Sequence, residues 1–219
     1  MMDLIQPQPH DIALDAATGA GHTALALANH IRKVIAIDIT GEMLLHASEM
    51  ARKRGILNID FILQDIHYLG WADGFFDIVA CRFAAHHFVD TERAVQEMSR
   101  VLKPGGRLYI LDCSFAGEED TGRFINKMER LRDNSHAYSH SKTRWRELLN
   151  KTHLHIEHMV LERKEYDICQ WFETIGTPEA QRQEILEMLK AMPSAIEKYY
   201  SFDGHFLPAY QIEILARKE

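Results

Sequence analysis

A glycine-rich turn flanked by carboxylates is the part of this sequence best suited to bind a nucleotide. Gly19 and Gly21 lie in the run LDAATGAG, between an apolar stretch typical of a buried strand and one with helical spacing. Glycines let the backbone turn sharply and approach a ligand with no Cβ in the way. Asp38 stands at the end of the next apolar stretch, where a carboxylate can accept two hydrogen bonds from a ribose diol. The pattern predicts an adenosine site.

The glycine spacing is compatible with two classes of ligand. The run GAGHTA also satisfies the dinucleotide fingerprint G-x-G-x-x-G/A, with Ala24 as its third small residue. Asp15, at the strand end before the glycines, favours S-adenosylmethionine, because the ammonium group of that ligand needs an anionic neighbour and a pyrophosphate does not. An NAD(P)-dependent reductase therefore stays open as the alternative, and Asp15 and Asp65 both count against it.

Strand and helix patterns alternate around this turn through the first half of the chain. The predicted strands cover 12–17, 34–39, 59–64, 76–82 and 106–113, and helices are predicted over 22–31, after Thr40 and after Asp90. This alternation is typical of an α/β fold with a parallel sheet wrapped on both faces. Ligands of such Rossmann-like, doubly wound sheets bind at the carboxyl ends of the strands.

After Cys113, strand and helix patterns no longer alternate regularly. Helices are predicted over 118–132, 141–151, 168–175 and 178–192, and strands over 155–163 and 206–216. Helices that no parallel strand follows predict lid insertions over the edge of the sheet. We therefore expect residues 1–219 to form a single domain, with a cofactor-binding half at 11–113 and a substrate and lid half at 114–219.

Four further motifs follow the glycine turn in order: VIAIDI, FILQD, FFDIVACRFAAHHF and LKPGG. With them, the chain from Leu14 to Cys113 resembles the class I S-adenosylmethionine-dependent methyltransferases, in the group around the ubiquinone and menaquinone biosynthesis methyltransferases. Its overall likeness is greatest to small bacterial members of the YcgJ type. The resemblance implies a seven-stranded sheet, mostly parallel with an antiparallel last strand, and methyl transfer to a small-molecule acceptor.

The resemblance also implies roles for individual residues. Asp38 would bind the ribose hydroxyls, Asp65 and the Ile66 amide would bind the adenine edge, and Arg82 would lie beside the methionine part. Ala17 replaces the first glycine of the family pattern, a small change with which we expect binding to survive. The complete set of predicted cofactor contacts is Asp15, Ala17, Thr18, Gly19, Gly21, Asp38, Ile39, Met43, Asp65, Ile66 and Arg82.

His86 and His87 are the candidate catalytic residues. They follow the fourth predicted strand, in the loop that faces the transferred methyl group in this fold, and either could act as a general base if the acceptor must lose a proton. The N-P-P-Y type motif of amino-directed methyltransferases is absent at this position, which argues against adenine or glutamine amide nitrogen as the acceptor. A non-catalytic S-adenosylmethionine-binding protein is the third interpretation.

Composition argues against several other functions. A net charge of −7 without a basic, aromatic stripe argues against nucleic acid as substrate. No run of about 18 apolar residues predicts membrane insertion. Cys81, Cys113 and Cys169 are odd in number and widely spaced, which indicates a reducing, cytoplasmic location. No metal is predicted, because the histidine spacing from 136 to 158 fits no zinc pattern, and a homodimer stays open.

The region around the start of the first strand offers little to cover a bound cofactor. Pro7 and Pro9 precede that strand almost at once, so the site is expected to be open on this side. Closure is expected from the segments 114–140 and 168–192, ordering around bound substrate. The candidates for an apolar wall of the acceptor pocket are Phe124, Met128, Tyr138, Trp145, Trp171 and Phe172.

Overall fold

The computed structural model describes residues 1–219 and contains one seven-stranded sheet. The strands are β1 (Ile12–Ala16), β2 (Lys33–Asp38), β3 (Ile59–Leu63), β4 (Phe76–Arg82), β5 (Leu102–Ser114), β6 (Leu154–Asp167) and β7 (Phe206–Lys218). The helices are α1 (Met2–Ile5), α2 (His22–Ala28), α3 (Gly41–Lys53), α4 (Thr91–Val101), α5 (Glu119–Arg132), α6 (Lys142–Asn150), α7 (Ile168–Glu173), α8 (Glu179–Lys190) and α9 (Ser194–Tyr200).

The strand order is β3-β2-β1-β4-β5-β7-β6. Strands β1 to β5 are parallel, and β7 lies antiparallel between β5 and β6. The prediction of a Rossmann-like sheet with an antiparallel last strand is therefore confirmed. Because the chain moves outward from β1 to β3 and returns to β4, the carboxyl ends of β1 and β4 lie side by side at the point where the strand order reverses. That is where a doubly wound sheet binds its ligand.

Alternate residues of the central strands enter two separate cores. Ala13 and Ile78 pack with α2 on one face, whereas Leu14 and Val79 pack with α4 and α6 on the other. Both faces of the sheet are thus covered, which explains why the central strands are nearly continuous runs of apolar residues.

A third core lies beyond the carboxyl edge of the sheet. It contains aromatic and aliphatic side chains of α5, α7, α8 and α9, among them Trp171, Ile185 and Tyr200. We call these four helices the cap. They correspond to the predicted lid insertions, and their own apolar core keeps them packed together without a ligand. None of the helices in the chain is long and apolar enough to cross a membrane.

Several element boundaries differ from prediction. Strands β6 and β7 extend to Asp167 and Lys218 because they pair with each other along their whole length. Helix α9 was not predicted, although Ile196 and Tyr200, four residues apart, are both buried. Thr40 precedes α3 but its side chain forms no capping hydrogen bond, and its backbone N–H donates to Asp38.

Candidate active site

Asp15 supports the glycine turn from behind. It is 1% exposed, and its Oδ2 accepts hydrogen bonds from the Thr18 hydroxyl at 2.5 Å and from the Ala24 N–H at 2.8 Å. These bonds tie the end of β1 to the first turn of α2. Burial raises the pKa of Asp15 to about 7, against the hydrogen bonds from Thr18 and Ala24, which favour the charged form.

The turn itself uses left-handed backbone. Ala17 has φ 54° and Gly21 has φ 82°. A Cβ added to Gly21 would lie 2.8 Å from the Cβ of Ala47, so this glycine allows α2 and α3 to pack closely. Ala17 adopts a conformation that favours glycine, and this is the position at which the chain departs from the family pattern.

Asp38 joins the turn to the end of β2. It is 8% exposed, with Oδ2 accepting from the Gly19 N–H at 2.8 Å and Oδ1 accepting from the Thr40 N–H at 2.9 Å. Each carboxylate oxygen can accept more than one hydrogen bond. The carboxylate is therefore held by two backbone donors and retains acceptor capacity toward the cavity in front of it.

That cavity, which we call the glycine-turn cavity, has a volume of about 600 Å³. It brings together most of the residues that the sequence assigned to cofactor binding: Ala17, Gly19, Asp38, Ile39, Met43, Asp65 and Ile66. Asp15, Thr18, Gly21 and Arg82 do not line it. Arg82 instead lies with its guanidinium carbon 4.9 Å from the centre of the Phe83 ring.

The cavity offers an apolar surface with polar edges, which fits an adenosine. Ile39 is 72% exposed at its rim. Asp65 Oδ1 accepts from the His67 N–H and lies 2.6 Å from His67 Nδ1, which leaves Oδ2 free of protein partners. Partial burial opposes the charged form, but the hydrogen bonds from His67 hold the pKa of Asp65 below its ordinary value.

A buried carboxylate holds His86. Asp112, 1% exposed on β5, accepts from the His86 N–H at 2.9 Å, and its other oxygen lies 2.5 Å from His86 Nδ1. Burial disfavours the charged imidazole, yet the Asp112 charge and hydrogen bond outweigh it and raise the pKa of His86 above its ordinary value. Asp112 was missed in the sequence, although an acidic residue at the carboxyl end of an apolar strand was a signal for it.

Two further imidazoles lie against His86. The ring centres of His87 and His136 are 4.0 and 5.6 Å from that of His86. Burial and the neighbouring His86 charge lower the pKa of His87, and the same causes lower the pKa of His136 to about 3. Of the three rings, only His86 is therefore stabilised as the cation.

The tautomer of His87 follows from its neighbour. Nδ1 lies 3.1 Å from the Ser135 carbonyl oxygen, which can only accept, so Nδ1 carries the hydrogen and Nε2 carries the lone pair. Nε2 has no partner in the protein. A neutral imidazole in this orientation can take up a proton.

A second cavity, the cap cavity, has a volume of about 540 Å³ and lies between the sheet edge and the cap. Its walls include Met128 and Trp171 among the predicted lid residues, whereas Phe124, Tyr138, Trp145 and Phe172 do not line it. Trp145 belongs to the core beneath α6 instead. Phe83 and His87 line both cavities, so these two side chains lie at the boundary between them.

The cap cavity also contains a buried ion pair. Arg132 Nη1 lies 3.0 Å from Glu129 Oε2, and the Arg132 guanidinium lies 4.3 Å from the centre of the Trp171 ring. Burial raises the pKa of Glu129 in spite of the arginine. Neither residue was singled out in the sequence, because nothing in their local pattern distinguishes them from a charged helix face.

His86, Asp112 and Cys113 place a nitrogen, an oxygen and a sulfur atom within 4.8 Å of one another. The Asp112 carboxylate already accepts from the N–H groups of His86 and Cys113. Burial, together with the Asp112 charge, raises the pKa of the Cys113 thiol well above its ordinary value. These hydrogen bonds explain why the three groups lie together: His86 and Asp112 form a pair, and the neutral Cys113 thiol lies beside it.

Tyr138 and Lys142 have the Tyr-x-x-x-Lys spacing that short-chain reductases use. The Tyr138 hydroxyl donates to Glu119 at 2.8 Å, and neither residue lines the glycine-turn cavity. This pair is therefore not placed to act on a ligand bound at the turn.

A family model described as a methyltransferase domain matches residues 7–190, and the chain belongs to this family. It is 35% identical over 176 residues to the uncharacterized methyltransferase YcgJ of Bacillus subtilis, a match that covers 80% of this chain and 70% of that protein. The crystal structure of the B. subtilis YcgJ protein superposes with a TM-score of 0.96 at 29% identity, over 100% of this chain and 96% of that one.

A shorter match connects the chain to the quinone group. It is 41% identical over 101 residues to the demethylmenaquinone methyltransferase of Thermus thermophilus, covering 45% of this chain and 46% of that protein. The recognition of a class I S-adenosylmethionine-dependent methyltransferase related to the YcgJ type is confirmed.

Proposed function

We propose that this enzyme transfers the methyl group of S-adenosylmethionine, bound in the glycine-turn cavity, to a small organic acceptor bound in the cap cavity. The observation that carries the proposal is that the two cavities are neighbours, with Phe83 and His87 in the walls of both. A donor on one side and an acceptor on the other would then face each other without bulk water between them. Orientation and exclusion of water are the main contributions that a protein makes to such a displacement.

The residues around the glycine-turn cavity suit the adenosine part of the donor. Asp38 would accept from the ribose hydroxyls, and Asp65 Oδ2 with the Ile66 N–H would bind the adenine edge. Ile39 and Met43 supply apolar contact. The roles of Asp15, Thr18, Gly21 and Arg82 at the methionine part stay predictions, since these residues lie behind or beside the cavity wall. When bound, S-adenosylmethionine supplies a methyl carbon on a positively charged sulfur, which keeps the electron pair of the broken bond.

His87 is the proposed general base. Its Nε2 takes the proton of an acidic X–H group of the acceptor and leaves the electron pair on X for the new bond to carbon. The Ser135 carbonyl fixes the ring with the lone pair on Nε2. The lowered pKa of His87 keeps the ring neutral, and so able to accept a proton, at neutral pH.

Neither alternative interpretation gains support. The reductase interpretation depends on the run GAGHTA, whereas the family and the fold are those of methyltransferases. A non-catalytic binding protein would not require a neutral histidine, His87, in the walls of both cavities.

The test is calorimetric titration of the purified protein with S-adenosylmethionine, S-adenosylhomocysteine, NADH and NADPH in parallel. We expect binding of the first two alone. Incubation with S-adenosylmethionine and a panel of small acceptors should then release S-adenosylhomocysteine. Binding of the nicotinamides alone would contradict the donor, and binding of S-adenosylmethionine without turnover on any acceptor would support the non-catalytic interpretation.

A further inference from the structure

One buried hydroxyl group on the wall of the cap cavity lacks a hydrogen-bond partner. Ser139 is 1% exposed and lines this cavity. Asn126 binds its backbone on both sides, accepting from the Ser139 N–H at 2.6 Å and donating to the Ser139 carbonyl at 3.1 Å. The Oγ atom is left buried and unpaired. Buried polar groups are almost always paired, so this hydroxyl indicates a missing partner in the cavity.

A second donor on the same wall has a fixed orientation. Asp112 binds both the backbone N–H and Nδ1 of His86, which leaves Nε2 without a partner in the protein. The charged groups facing this imidazole are Asp112 on β5, Glu129 near the end of α5, and Asp133, which follows that helix. Asp112 lies against Nδ1 and favours the protonated ring, and in that form Nε2–H is a charged donor.

Ser139 and His86 are connected through shared neighbours. Asn126 Oδ1 accepts from both the Ser139 N–H and His136 Nε2, and the His136 ring stacks against His86 at 5.6 Å. The buried Asn126, which is 0% exposed, thus positions the segment that carries the free hydroxyl next to the imidazole pair.

We propose that His86 Nε2–H and the Ser139 hydroxyl together bind the negatively charged oxygen of the deprotonated acceptor. This inference rests on the proposed function and names the acceptor class as an O–H acid whose conjugate base is an oxyanion. His87 takes the proton, and the pair formed by His86 and Ser139 holds the oxygen left behind. Asp112 is a positioning residue, because it acts only through His86.

The two unpaired donor groups favour an oxyanion over an amine as the ligand. An imidazolium repels an ammonium group and stabilises an anion at hydrogen-bond distance. Two carboxylates line the cap cavity. Glu129 is paired with Arg132 at 3.0 Å, which offsets its charge, and Asp133 accepts hydrogen bonds from the Ser135 N–H and hydroxyl. In this proposal the two donors would bind the same oxygen and stabilise its negative charge.

The test uses 4-nitrophenol as probe, since its anion alone absorbs in the visible. The full-length protein, saturated with S-adenosylhomocysteine, is titrated with the probe across a pH series. We expect the bound probe to ionise at a pH at least one unit lower than the free probe, which corresponds to a tenfold preference for the anion. The neutral analogue 4-nitroanisole should show no pH-dependent binding over the same range.

Variants show whether the preference for the anion comes from the two donors or from packing of the cavity wall. Ser139→Ala should reduce the preference for the anion about tenfold, and Asp112→Asn should reduce it by removing the charge that keeps His86 protonated. Ser139→Thr, which restores a hydroxyl, should recover most of it. The matched control is Ser114→Ala, because Ser114 lines the same cavity but its hydroxyl already donates to the His140 carbonyl at 2.7 Å. It should leave the preference unchanged.

Equal binding of anion and neutral probe by the wild type overturns the inference, as does the absence of saturable binding of 4-nitrophenol. An unchanged preference in folded Ser139→Ala, judged by circular dichroism, also overturns it. Failure of the proposed function has a different signature, because S-adenosylhomocysteine itself would then not bind.

Discussion

The Asp38 carboxylate accepts hydrogen bonds from two backbone N–H groups and is predicted to bind the ribose of the ligand. Its oxygens accept from the N–H groups of Gly19 and Thr40, so the same carboxylate shapes the glycine turn and faces the predicted ribose. In Asp38→Asn, the amide nitrogen would face one of these N–H donors, and one acceptor for the ribose is lost. We expect the dissociation constant for S-adenosylhomocysteine to rise about 10- to 150-fold, the range for hydrogen bonds to charged groups.

Calorimetry with S-adenosylhomocysteine measures this change, and Asp60→Asn is the matched control. Asp60 is an aspartate on the neighbouring strand, with its side chain 53% exposed and paired with Lys33 at 2.6 Å. Its substitution should leave the affinity unchanged. An unaltered constant in a folded Asp38→Asn protein would refute the ribose assignment.

His87 should determine how the methyl-transfer rate depends on pH. A base must be neutral, and burial with the adjacent His86 charge lowers its pKa below the ordinary 6.5. The rate of S-adenosylhomocysteine formation with a surrogate phenol should therefore be constant at neutral pH and fall in acid, below the ordinary pKa. His87→Gln should lower the rate at neutral pH about 10²- to 10⁴-fold, the contribution of a general base, and abolish the acid limb.

The cofactor affinity of His87→Gln shows whether the rate falls because a base is lost or because the cavity wall has changed. His87→Gln should bind S-adenosylhomocysteine nearly as well as the wild type. His155→Gln, at an exposed position on β6, is the histidine control and should retain the full profile. Loss of cofactor binding with loss of rate would assign His87 to the cavity wall alone.

At the scale of elements, the glycine turn depends on a buried carboxyl group in β1. Asp15 has a pKa of about 7 in the folded protein, against an ordinary value of 3.8. The folded state therefore holds a proton that the unfolded chain releases, and this stabilisation is present in acid and lost as pH rises toward 7. Between pH 5 and 7 the wild type should lose roughly 2 to 3 kcal/mol of unfolding free energy relative to Asp15→Asn.

Urea unfolding of both proteins across this pH range measures the difference. The amide oxygen introduced by Asp15→Asn can still accept from Thr18 and Ala24, so the turn should remain intact. If the unfolding free energies of the two proteins change equally with pH, Asp15 is not the source of the pH dependence.

Ala17 gives a second prediction for the turn. Left-handed backbone costs a non-glycine residue roughly 1 to 2 kcal/mol of stability. Replacing alanine by glycine costs about 0.4 to 1 kcal/mol, because glycine increases the conformational entropy of the unfolded chain. Ala17→Gly should thus be neutral or up to about 1.6 kcal/mol more stable, with unchanged cofactor affinity. Ala20→Gly, in the same turn but without a positive φ, should be destabilised in the same urea experiment.

Elements with local signals were predictable, and contacts between distant segments were not. The periodicity of β1 to β5 was sufficient for the parallel part of the sheet, whereas the antiparallel last strand was expected from the resemblance to the methyltransferase family. The pair formed by His86 and Asp112 joins residues 26 positions apart, and only the return of β5 beside β4 brings them together. No sequence pattern marks Ser139. Its proposed role depends on Asn126, whose side chain forms hydrogen bonds with both the N–H and the carbonyl group of Ser139.

At the scale of the whole molecule, the two cavities are supplied by different parts of the chain. The glycine-turn cavity is lined almost entirely by residues before Cys113, with Ser135 as the exception. The cap cavity is lined almost entirely by residues from Cys113 onward, with Phe83, His86 and His87 as the exceptions. In the proposed function, the two predicted halves of the chain would supply the cofactor site and the acceptor site, and His87, the proposed base, lines both cavities.

Hydrogen exchange should reveal the division, because a ligand slows exchange in the segments that it contacts and orders. S-adenosylhomocysteine alone should protect the glycine turn and residues 64–67, with little effect on α7, α8 and α9. Addition of 4-nitrophenol should then protect α5 and α7, whose residues Met128 and Trp171 line the cap cavity. Equal protection of the whole cap by S-adenosylhomocysteine alone would instead show that the cap closes on the cofactor, before any acceptor binds.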